Sequence, residues 1–170
     1  ILQNQKPSLV HDAIDEVVKM IDRTEHMFSV SCGTLLEADE IIDLTKEDAD
    51  INVGERIVRR LLFQHLMVNP EQDLPASFAL LSIVHDVERI GDYAKSLIEL
   101  QQSDVMRTPD SRYRVMCREL HGMIQPLFSL ALKAVRDSDS NSARKLMERH
   151  LTVKQRTDEV LRQATEDNQA

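Results

Sequence analysis

His85-Asp86-Val87-Glu88-Arg89-Ile90-Gly91-Asp92 sets two carboxylates, Glu88 and Asp92, four residues apart. Upstream, Asp48-Ala49-Asp50-Ile51-Asn52 followed by Glu55 supplies a second run of oxygen donors. Residues at i and i+4 of a helix point the same way, so Glu88 with Asp92 and Asp48 with Asn52 each form a paired-oxygen face. Two such faces on neighbouring helices predict a cation between them, held by Asp48, Asn52, Glu88 and Asp92, with Glu55 and His85 as further candidates. Oxygen donors suit a divalent or trivalent metal ion such as iron or manganese, and zinc is better served if His85 joins. The competing account is a salt-bridge network in which Glu88 pairs with Arg56, Arg59 or Arg60.

The elements that must position these residues read as five long helices. Val10, Ile14, Val17, Val18, Ile21 and Phe28 recur at three- and four-residue steps, which predicts a helix from about Ser8 to about Leu36. After a corner near Glu37 to Asp39, a second helix carries Leu44, Ile51, Val58 and Leu62 and stops at Asn69-Pro70, because proline disfavours helix in the residue before it. The third starts near Asp73-Leu74-Pro75, where proline is tolerated in the first turn, and runs to about Gln102. Level pairing across the Asn69-Pro70 corner sets Asp48 opposite Asp92 and Asn52 opposite Glu88. Gly54 and Gly91, inside helices at some cost in propensity, point to close packing between helices two and three.

Ser103 to Asp110, with Thr108-Pro109, reads as a linker into a fourth helix of Val115, Leu120, Met123, Leu127, Phe128, Leu130, Leu132 and Val135, kinked at Pro126. A turn over Asp137 to Ser142 opens a fifth, with Ala143, Leu146, Met147, Leu151, Val160 and Leu161 as its stripe and a tail that frays from Thr165. Helices four and five echo one and two, and no counterpart of helix three follows. The expected architecture is all-α: an antiparallel three-helix bundle over 1–104, and a second, incomplete repeat of two helices over 105–170 packed on the first. The unfinished repeat leaves an apolar face, for which a homodimer is one remedy.

Composition narrows the function. With Lys+Arg 21 against Asp+Glu 29, the formal net charge of -8 repels phosphate backbones, so nucleic acid is not expected as a partner. No apolar run approaches the roughly 18 residues of a membrane span. Cys32 and Cys117 lie far apart without a C-x-x-C pair and read as reduced, buried thiols. The chain has no G-x-S-x-G and no P-loop, so nucleophilic catalysis finds no support. His11 with Asp15 reads as a solvated helix pair, and His26, His65, His121 and His150 as structural or exposed. The methionines read as core filler, and Arg59-Arg60 as a small basic spot on a solvated face. An opening Ile1 leaves a full protein, a trimmed start and a domain of a larger protein open.

Ile83-Val84-His85-Asp86-Val87-Glu88-Arg89-Ile90-Gly91-Asp92 resembles the third-helix signature of the PhoU family, apolar residues followed by E-R-I-G-D. Asp48 to Glu55 is similar to that family's second-helix segment, with Asn52 where Asp is common. In the second repeat Lys154-Gln155-Arg156-Thr157-Asp158 stands where the motif would recur, and its Lys at the first ligand position leaves only the first site to carry over. The resemblance implies tandem three-helix bundles with a carboxylate metal site. It further implies a cytoplasmic, non-enzymatic regulator of inorganic phosphate transport and homeostasis, peripheral to the inner face of the membrane. Its partners would be phosphate transporter components or a sensor kinase, and related domains are attached to sodium-phosphate cotransporters. The alternatives are a metal-storing or metal-dependent bundle, whose Glu-x-x-His pairs are missing here, and a structural adaptor without metal.

Overall fold

Each helix is fixed at its ends by local chemistry. The computed structural model describes residues 8–37, 42–102 and 111–167, which form α1 (Leu9–Glu37), α2 (Thr45–Val68), α3 (Leu74–Gln102), α4 (Ser111–Arg136) and α5 (Ser140–Asp167). The described residues contain no strand, and the chain is all-α as its periodicity requires. Ser8 Oγ accepts the Val10 N–H at 3.2 Å and starts α1. Asp43 Oδ1 accepts the Thr45 N–H at 2.9 Å ahead of α2. The α2 ladder closes where the Asn69 N–H donates to His65 O at 2.8 Å, immediately before Pro70. Asp73 then takes the left-handed conformation, φ 56, which a short polar side chain tolerates, and α3 begins with Pro75 in its first turn. Asp139 opens α5, its carboxylate accepting from the Asn141 N–H and the Ser142 hydroxyl.

α1, α2 and α3 pack on one another as a three-helix bundle, while α4 packs on α1 and, among the described helices, α5 packs on α4 alone. The bundle core is Val17, Met20 and Met27 of α1, Ile51, Val58 and Leu62 of α2, and Val84 and Ala94 of α3. Sealing side chains of this kind from water stabilises by about 1.5–3 kcal/mol each, before conformational entropy is subtracted. The whole α2 stripe, Leu44, Ile51, Val58 and Leu62, is buried as its spacing predicts. At the α2–α3 corner the buried His65 ring holds Nε2 3.1 Å from Gln72 O and 3.5 Å from Asp73 Oδ2, pinning the turn. Around that corner Phe63, Met67, Val68 and Phe78 remain exposed, Met67 by 85%.

Several expectations are corrected. Met147, Leu151 and Leu161, placed on an inner stripe of α5, are each at least 60% exposed, and its buried positions are Ser142, Val153 and Val160. A helix touching one neighbour buries one narrow face, so its other apolar residues stay in water. The Thr165 tail is helical to Asp167, whose carboxylate accepts from Tyr113 of α4. Cys32 is buried but Cys117 is exposed. Among the methionines, Met67 and Met147 are solvent-facing rather than core. Gly91 faces Ile51 of α2, but Gly54 faces Met20 of α1, so it serves the α1–α2 contact rather than α2–α3. The Glu37–Asp39 corner beyond Glu37, the 103–110 linker and the boundary at 104 lie outside the described residues.

Candidate metal centre

The acidic runs of α2 and α3 meet because the corner folds the two helices antiparallel. The Asp48 carboxylate of α2 receives Lys95 Nζ of α3 at 3.1 Å, and Glu55 Oε1 lies 3.6 Å from His85 Nδ1. Between those contacts Ile51 Cδ1 sits 3.0 Å from where a Cβ on Gly91 would be, so the helices approach closely at that level. Asp48 therefore finds Lys95, three residues past Asp92, as its ion-pair partner.

The expected ligands occupy one side of the hairpin but hold different partners. Glu55 is half-buried and accepts from Arg59 of its own helix at 2.8 Å and 3.0 Å. Asp50 is held by Arg23 of α1 and by Lys46. Asn52 is half-buried, and Asp92 is exposed with its backbone carbonyl accepting from Ser96 Oγ at 3.0 Å. Glu88, its side chain 17% exposed, has no lysine or arginine within ion-pair distance among the described residues; its neighbour is His85 Nδ1 at 3.8 Å. The arginine network offered as the competing account thus forms on Glu55, through Arg59, and not on Glu88.

Electrostatics mark Glu88 as the uncompensated member. Burial pushes its carboxyl above the usual range, the charges of Asp92, Glu55 and Asp48 push it the same way, and His85 opposes them. Lys95 is raised in turn, chiefly by its hydrogen bond to Asp48. The acidic groups are therefore within electrostatic reach of one another. Even so, among the described residues no three His, Cys, Asp or Glu side chains converge closely enough to hold a metal ion. With Asp48 on Lys95 and Glu55 on Arg59, the acidic groups as folded form a seam of internal ion pairs.

Residues 17–100 match the family described as the PhoU domain. The matched span covers the α1–α3 bundle from Val17 to Leu100 and includes every candidate residue, while α4 and α5 lie outside it. No curated protein and no solved structure matches the chain.

Lys95 answers Asp48 yet lies outside the acidic motifs themselves. Its signal was present, since a lysine three residues beyond Asp92 shares a helix face with it. Arg59, weighed in the sequence as a partner for Glu88, instead answers Glu55 four residues before it.

Proposed function

We propose that this chain is a non-catalytic regulator of inorganic phosphate transport that acts through contact with protein components of the transport machinery, a transporter or its sensor kinase, at the cytoplasmic face of the membrane. The observation that carries this reading is the PhoU match over 17–100, which coincides with a complete three-helix bundle. No described helix is long and apolar enough to cross a membrane, so contact with membrane components requires a surface. The α2–α3 corner offers one: Phe63, Met67, Val68 and Phe78 form an exposed apolar tip, and Glu71 and Asp73 give it negative charge. Loops of membrane proteins on the cytoplasmic side carry excess Lys and Arg. Charge complementarity therefore favours such loops over an anionic lipid surface, which would repel this tip. The test is phosphate uptake in cells lacking the chain, measured at high and low external phosphate. The expected outcome is a loss of the difference between the two conditions, and an unchanged difference overturns the reading.

A second reading keeps a cation at the α2–α3 face, and the observation favouring it is Glu88, a half-buried carboxylate facing other acids without a basic partner. Titration of the purified protein with iron, zinc or manganese, followed by thermal shift, tests it; no shift with any of the three removes it.

A further inference from the structure

Cys32 and Cys117 are the two cysteines of the chain, and they sit on the one pair of helices that joins the first bundle to the rest. Three pairs fix the register of that α1–α4 seam. Asp22 lies 3.8 Å from Arg136, Glu25 accepts from Gln125 Nε2 at 3.0 Å, and the Phe28 and His121 rings are 5.5 Å apart. Numbers rise on α1 as they fall on α4, so the helices are antiparallel. Starting from Phe28 and His121, a four-residue step forward along α1 and a four-residue step back along α4 lead to Cys32 and Cys117. Residues four apart share a helix face, so the two thiols are level across the seam. Both line one cavity of about 150 Å³ together with Phe28, Leu36, Leu120 and Ile124. Two further observations agree with that placement. Burial, and after it the charge of Cys117, opposes ionisation of Cys32, which is pushed up to about 11. His121 Nε2, in the same cavity, is buried with no hydrogen-bond partner.

We propose that Cys32 and Cys117 are a redox-active pair that closes to a disulfide across the α1–α4 seam. The oxidant is a low-molecular-weight disulfide such as oxidised glutathione. Exposed Cys117 reacts first: its thiolate attacks one sulfur of the oxidant, expels a glutathione thiolate and leaves a mixed disulfide. Cys32, on losing its proton, attacks Cys117 Sγ and displaces the second glutathione thiolate. The protein gives up two electrons and two protons, and the oxidant becomes two thiols. Because burial of Cys32 and partial desolvation of the exposed Cys117 along the cavity wall disfavour both thiolates, closure is slow compared with that of an activated cysteine. Among the described helices, α1 and α4 make the only contact between α1–α3 and α4–α5. The bond therefore locks the position of the second repeat against the first, and reduction releases it.

The test uses the full chain in oxidised glutathione at mildly alkaline pH, then alkylation under denaturing conditions and intact-mass measurement. The expected product is a monomer lighter by two hydrogens that takes up no alkylating reagent, and dithiothreitol returns both thiols. Its melting temperature should exceed that of the reduced protein by several degrees, since a bond closing a long loop restricts the unfolded chain. C117S, altered at an exposed position, should show no gain on oxidation and keep one alkylatable cysteine. Two alkylatable thiols after oxidation, a stable glutathione adduct on Cys117 of the unaltered chain, or a disulfide only between chains would each overturn the proposal.

Discussion

Gly54→Ala and Gly91→Ala make a paired test of how tightly α2 is held from its two sides. Both glycines lie inside helices, where alanine is favoured by about 1 kcal/mol, so with open space both substitutions would stabilise. A Cβ on Gly54 would stand 2.8 Å from Met20 Cγ and 2.9 Å from Met20 Sδ, well inside the ~3.5–4.0 Å of a relaxed contact. Met20 is 1% exposed and packed in the core, and such overpacking costs about 1–3 kcal/mol. The net effect is a loss of about 1 kcal/mol. A Cβ on Gly91 meets Ile51 Cδ1 at 3.0 Å and Thr24 Cγ2 at 3.6 Å. The tight contact is the end of one side chain, which a small rotation relieves, so cost and propensity gain nearly cancel. Urea unfolding should therefore place the Gly54→Ala midpoint below that of Gly91→Ala by an amount worth about 1–2 kcal/mol, with equal m-values. If both variants gain stability, or if Gly54→Ala is the more stable, the α1–α2 packing at Met20 is not as described.

Glu88→Gln should raise stability at neutral pH. The folded-state carboxyl is raised, so between its ordinary and its raised pKa the folded chain binds more protons than the unfolded one, and stability falls as pH rises through that window. A neutral Gln recovers the loss, and the advantage over the unaltered chain should fade below about pH 4, where Glu is protonated in both states; equal urea midpoints at pH 7 refute it. Lys95→Ala removes a partly exposed pair and should cost only about 0.2–1 kcal/mol. It also frees Asp48, so any thermal shift by zinc, manganese or iron should grow, and a shift that shrinks would place Lys95 outside the competition for that face. Replacing Phe63, Met67 and Phe78 with Ser should abolish the phosphate dependence of uptake while moving the urea midpoint by no more than about 0.5 kcal/mol, as expected of surface positions. Full complementation by this variant in cells whose deletion does have a phenotype would sink the tip without sinking the regulatory role.

Most of the first bundle was legible because proline, asparagine and apolar spacing act locally. Asn69-Pro70 stops α2 whatever surrounds it, and Leu44, Ile51, Val58 and Leu62 are buried as their spacing requires. What failed depends on neighbours. Periodicity states that α5 has apolar residues on more than one side, but not that α4 alone would cover it, and so Met147 and Leu151 were placed inward. Level counting across the corner did not identify Lys95 as the partner of Asp48, because a pattern of acids says nothing of which base answers them. The α2–α3 corner also contains a turn, with the Gln72 N–H donating to Asn69 O, and a left-handed Asp73. The Cys32–Cys117 level was invisible for the same reason, since it is set by Phe28 and His121 meeting across a seam between distant parts of the chain.

The ion pairs on the α2–α3 face do not by themselves decide whether a metal binds there. Lys95 and Arg59 are partly exposed, 38% and 41% at the side chain, and pairs of that kind contribute about 0.2–1 kcal/mol each. A micromolar metal complex corresponds to about 8 kcal/mol, several times what releasing both cations would cost. Geometry is the stronger constraint, because three donors must reach about 2.0–2.2 Å from one point and no three described side chains do so as folded. Glu88 alone, with His85 beside it, offers at most a weak monodentate foothold. Affinity therefore separates the alternatives. Binding in the micromolar range or tighter requires Asp48 or Glu55 to leave its internal cation and join Glu88, and it should then be lost in Glu88→Gln. Millimolar binding that survives Glu88→Gln is ordinary attraction of cations to an acidic surface, and it leaves the seam a structural one.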